Sequence, residues 1–121
     1  MEKKRYISEE EQKKCRRVAD AFAELEEADI MVLDAGRYGF VKLQYYTPSI
    51  GFENDVTFVE SREMFEDLWN EWMHFQLFML AEENSIGDID YDEVFWCLPI
   101  AKQKELMDKK KTFEEKVGIV L

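Results

Sequence analysis

The stretch 60–83 constrains this chain most, because its apolar side chains are too many for one face of a surface helix. Set at about 100° per residue, Met64, Phe65, Leu68, Trp69, Trp72, Met73, Phe75, Leu77, Met79 and Leu80 cover an arc of roughly 220°. Such a helix has to be contacted on two sides, by a sheet on one and by other helices on the other. Two residues break the arc: Gln76 lies within it, where a buried amide needs a backbone partner, and Phe78 lies outside it among Asp67, Asn70, Glu71 and His74.

Before this stretch, Ser8 followed by Glu11 forms a capping box, and Cys15, Val18, Phe22 and Leu25 make a narrow helical seam ending near Ala28. Residues 1–7 read as a flexible basic leader. Glu24, Glu26, Glu27 and Asp29 crowd the end of that first helix, where the dipole favours cations. They are either solvated, with lysines from elsewhere in the fold offsetting them, or a docking point for a basic partner. The pattern then turns to strands: 30–33, a turn over 34–39 supplied with Gly36 and Gly39, 40–47, and 56–59 after a loop. Alternation in the second strand puts Val41, Leu43 and Tyr45 on the core side and Phe40, Lys42, Gln44 and Tyr46 on a wetter side. After the central helix, 82–92 is an acidic loop and Asp90 with Glu93 resembles a second capping box. Pro99 kinks or restarts the last helical stretch, and Gly118 suits its C-cap.

The expected fold is therefore α+β: a three-stranded antiparallel meander packed against a long aromatic-rich helix, flanked by N- and C-terminal helices in the order α-β-β-β-α-α-α. A length of 121 residues supports one domain over 8–121, with 99–121 as a helical tail that either projects or docks. An apolar fraction of 46% against 36% charged residues places the chain among globular rather than disordered proteins. No run reaches the ~20 apolar residues of a membrane span, and Met1 is followed by charged residues rather than an h-region. A cytoplasmic protein is expected, with Cys15 and Cys97 as reduced, buried thiols.

Chemistry-bearing motifs are few. Asp88, Asp90 and Asp92 alternate like the start of a calcium loop, but the positions that need glycine and a bidentate glutamate hold Glu93 and Pro99. His74 is the only histidine, which rules out a multi-histidine metal site. No phosphate-binding glycine loop or GxSxG elbow occurs, so no catalytic, cofactor or metal residue is assigned.

The net charge of −11 sits in the middle of the chain: residues 31–99 carry 3 basic and 14 acidic side chains, while 100–121 carry 6 and 4. Such a field repels phosphate backbones and attracts basic surfaces. The short run Lys109, Lys110 and Lys111 is surrounded by carboxylates and reads as a solvated face. The expectation is a non-enzymatic acidic protein that binds a basic protein partner, as an inhibitor or immunity-type antagonist of a nucleic-acid enzyme. The strip Asp67, Asn70, Glu71, His74 and Phe78 is its contact candidate. Direct nucleic-acid or membrane binding is not expected, and the chain is a monomer or homodimer. The alternatives are a structural or regulatory homo-oligomer and a small carboxylate-dependent enzyme.

Overall fold

Ser8 caps the first helix, its hydroxyl accepting the Glu11 amide at 3.1 Å, and α1 runs Glu9–Ala21, but the Glu11 carboxylate accepts the Ser61 amide at 2.7 Å rather than closing the box on Ser8. The computed structural model describes residues 6–83 and 91–118. No basic side chain stands in the last turn of α1, and the chain tightens into a 3-10 turn over Ala23–Ala28 that Asp29 closes in the left-handed region. Tyr6 and Ile7, which the sequence assigns to a leader, belong to the body. Ile7 is buried and donates its amide to the Arg37 carbonyl, and the Tyr6 ring sits edge-on to Tyr38.

Three strands follow as an antiparallel meander: β1 Ile30–Asp34, β2 Phe40–Tyr45 and β3 Phe52–Phe58. The β1–β2 turn is held by the Asp34 carboxylate accepting the Gly36 amide, and by Gly39 at φ +100°, where a β-carbon would fall 2.2 Å from the Phe58 carbonyl oxygen. β3 begins earlier than expected because the pairing passes an irregularity between Lys42 and Gln44: Lys42 faces Val56, whereas Gln44 faces Glu53. Two residues of β3 thus occupy the space of one, a β-bulge with Asn54 at φ +59°.

The helical layer consists of α2 Ser61–Glu83, α3 Tyr91–Cys97 and α4 Ile100–Val117, with α1 beside them. Met64, Phe65, Leu68, Trp69, Trp72 and Leu77 of α2 are buried, and the rings of Trp69 and Trp72 meet Phe113 of α4, whose ring centre also lies 4.5 Å from that of Phe22, the C-cap of α1. Pro99 caps α4 and Gly118 closes it at φ +72°. The stripe Leu106, Phe113 and Val117 lies in the core, so α4 packs on the body and does not project. The order α-β-β-β-α-α-α and the α+β class are as the pattern anticipates. Among the described residues no helix is long and apolar enough to cross a membrane. The acidic loop with Asp88, Asp90 and the Asp92 carboxylate, the cap at Asp90 and the chain end 119–121 fall outside the described residues.

The sheet presents the opposite face to the helices from the one expected. Phe40, Lys42, Ile30 and Phe58 are buried, whereas Val41, Leu43 and Tyr45 are only partly covered. Apolar content alone favours Val41, Leu43 and Tyr45 as the inner set. The deciding term is Lys42, whose ammonium meets Asp67 and, at 2.9 Å, Glu71 of α2, so the polar strip of the helix faces the sheet.

Candidate docking face

Antiparallel partners share a face, so the register identifies the outer surface of the sheet. Met31 pairs with Leu43, Leu33 with Val41 and Tyr45 with Phe52. Six apolar side chains therefore stand together on the side away from the helices. Met31, Leu33 and Phe52 are 40, 45 and 43% exposed. Single exposed apolar residues are ordinary, whereas a contiguous set on one sheet face is a candidate contact surface.

The bulge at Asn54 helps to build this face. Without the extra residue, strict alternation from Phe58 and Val56 would place Phe52 on the helix side; with it, Phe52 turns outward against Tyr45, ring centroids 5.2 Å apart. The Asn54 side-chain amide donates to the Tyr46 hydroxyl and anchors the irregular segment. Sequence pattern conceals this, since a stretch reading Phe-Glu-Asn-Asp looks like a loop.

At one end of the face, Glu26, Asp29, Ile30, Met31, Tyr45 and Phe52 enclose a cleft of about 350 Å³. Its carboxylates come from the acidic cluster that ends the first helical segment. The expectation that lysines from elsewhere offset this cluster is not met among the described residues: no lysine or arginine ion-pairs with Glu26, Glu27 or Asp29 there. Glu24 differs, accepting the Trp72 indole N–H at 3.3 Å. Asp29 is held by its amide bonding back into the 3-10 turn and by its carbonyl accepting the Tyr45 amide, so the lip of the cleft is tied to the sheet.

The strip named from sequence divides. Asp67 and Glu71 are engaged by Lys42. Burial alone would pull the Lys42 pKa down, but the hydrogen bonds and charges of these two carboxylates outweigh it and hold the ammonium above the ordinary lysine value. Asn70 is exposed, and Glu71, His74 and Phe78 line a shallower cleft with Ala28, Ile30, Gln44 and Phe75. Phe78 is 46% exposed, so α4 does not cover it. Ile30 lines both clefts, which places them on either side of one corner of the molecule. Gln76 is only partly buried, and no buried side-chain polar atom of the described residues lacks a partner, so the expected backbone bond is not needed.

Elsewhere, Lys109 and Lys110 lay their ammonium groups 5.4 and 5.9 Å from the Phe113 and Trp69 ring centres. Cys15 is buried, with its thiol pushed up to about 11 by desolvation, whereas Cys97 is exposed, contrary to the expectation of two buried thiols. Among the described residues no group of three or more His, Cys, Asp or Glu is placed to hold a metal ion. Comparison with protein-family models, with curated proteins and with solved structures finds no match to this chain.

Proposed function

We propose that this chain is a non-enzymatic binding protein whose open sheet face receives a basic protein partner. The observation that supports this reading is the juxtaposition of six apolar side chains, Met31, Leu33, Val41, Leu43, Tyr45 and Phe52, with the carboxylates of Glu26 and Asp29 at their edge, with which no basic side chain of the described residues pairs. Burying the apolar set supplies affinity, at ~25 cal/mol per Å² removed from water. The acidic edge and the net charge of −11 select a partner of the opposite sign and speed its approach. A second cleft lined by Phe78 and His74 lies on the helix side of the sheet and shares Ile30 with the first. An inhibitor of a nucleic-acid enzyme, offering carboxylates where phosphates would lie, is the narrower form of this proposal.

The test uses wild-type and Leu33→Glu chains as bait in extracts of the native host, followed by binding of the purified captured protein. A basic protein held by wild type, lost with Leu33→Glu and released as salt rises is the expected result. Capture unaffected by Leu33→Glu, or recovery of only acidic or salt-insensitive proteins, overturns the proposal. Light scattering at high concentration provides the other arm: a dimer that Leu33→Glu dissociates gives the face to a second copy and replaces the basic partner.

A further inference from the structure

We propose that the cleft formed by Glu26, Asp29, Met31, Tyr45 and Phe52 is a receptor for one arginine side chain of the partner. The inference rests on the docking reading above and names the group the cleft reads. Its lining is largely apolar and aromatic, with Met31 and the Tyr45 and Phe52 rings, which pack edge-to-face at 61°. Its lip carries two carboxylates that no basic side chain of the described residues engages, and none of those basic residues lines the cleft. A guanidinium suits this combination. Its plane stacks on an aromatic ring, its fork of N–H donors reaches carboxylates, and its weak hydration makes entry into an apolar cleft cheaper than for an ammonium. The aliphatic stem would lie along Met31.

The molecule already holds an arginine in this way at the opposite end of β1. Arg16 pairs with the Asp34 carboxylate while its guanidinium carbon stands 6.0 Å from the Phe40 ring centre. The cleft offers the same pair of elements, an aromatic ring and an aspartate, with the arginine position open to a partner. A volume of about 350 Å³ falls at the small end of ligand pockets, ~300–1,000 Å³, consistent with a single side chain.

The experiment follows the Met31 methyl and the Tyr45 and Phe52 ring resonances of the full chain by NMR during titration with N-acetyl-arginine amide. N-acetyl-lysine amide and N-acetyl-citrulline amide, the neutral isostere, serve as comparators. The expected result is saturable shifts at those residues in the ~millimolar range, roughly tenfold weaker with the citrulline derivative and weaker with the lysine derivative. A Glu26→Gln, Asp29→Asn chain should bind the arginine derivative no better than the citrulline one. Asparagine tolerates the left-handed backbone of position 29, so the pair should leave the unfolding midpoint in place. Absence of saturable shifts with the arginine derivative, or equal affinity for the citrulline derivative, overturns the cleft. The two readings fail separately: partner capture abolished by Leu33→Glu, without arginine binding by the wild type, leaves the sheet face standing and removes the cleft.

Discussion

Lys42 Nζ lies 2.9 Å from Glu71 Oε1 across the gap between β2 and α2, with Asp67 one helical turn away as its second partner. The lysine side chain is 8% exposed, while the two carboxylates keep 32 and 39% of their exposure. The cation is thus desolvated and the anions only partly so, and the cluster orients the whole sheet. Once Lys42 is fixed inward, Phe40 and Gln44 follow, and Val41, Leu43 and Tyr45 must point away from the helices.

Removing the cation tests this. Lys42→Ala should destabilise by about 2–3 kcal/mol, below the full cost of a broken buried pair because water still reaches Asp67 and Glu71. Lys42→Met combined with Asp67→Asn and Glu71→Gln should recover much of that loss. The folded pKa of Lys42 is raised, so its contribution is complete below the unfolded lysine value of about 10.4 and disappears as pH rises through the higher folded value. Urea unfolding from pH 7 to 11 should show an alkaline decline in both chains, because the raised thiol of Cys15 ionises more readily when unfolded, and a steeper decline above the unfolded lysine value in wild type than in Lys42→Met. An identical pH profile in both chains would contradict the cluster.

Neighbouring positions on β2 and β1 should respond oppositely to substitution. Phe40→Ala removes a buried ring at the helix interface and should cost about 3–5 kcal/mol. Leu33→Thr, on the outer face, should change stability by less than about 1 kcal/mol. Denaturant midpoints of the two variants decide which face is inside. Equal losses would mean that both faces are covered.

Local signals in the sequence account for most of the architecture. The Ser8 cap, the glycines flanking Arg37 and Tyr38 and the Gly118 terminus each act within a few residues, and each appears where expected. The apolar arc of α2 is only partly buried, with Met79 exposed and the polar Asp67 and Glu71 turned to the sheet. The facing of β2 does not follow from local signals, because it depends on a lysine meeting carboxylates 25 and 29 positions later. Phe52 was obscured for a related reason: only strand pairing reveals that the bulge at Asn54 reverses its side. The candidate face therefore includes Val41, Leu43 and Tyr45, which alternation had assigned to the core, while Asp67 and Glu71 of the strip read as a contact surface are engaged by Lys42.

Two glycines in the same turn offer a controlled comparison. Both Gly36 and Gly39 have positive φ, but a β-carbon at Gly36 meets nothing within 4 Å while one at Gly39 strikes the Phe58 backbone. Gly36→Ala should cost about 1 kcal/mol from backbone strain alone. Gly39→Ala adds a backbone collision and should cost well over 2 kcal/mol, with loss of β2–β3 amide protection in hydrogen exchange. Similar costs at both sites would show that the Phe58 contact is not tight.

The two cysteines should be kinetically distinct. With a thiol pKa near 11, only about one Cys15 in a thousand is ionised at pH 8, and burial blocks reagent access as well. Cys97 is exposed on α3. Under native conditions iodoacetamide should modify one thiol per chain, mapped to Cys97 by peptide mass, and the second only after denaturant is added. The delayed reaction then reports opening of the α1 and α2 core, because Cys15 is fully buried there with Val18, Met64 and Phe65. Lys42→Ala should accelerate it by the factor its stability loss implies, roughly tenfold for each 1.4 kcal/mol. Rapid modification of Cys15 in the native wild type would instead mean that this part of the core opens without global unfolding.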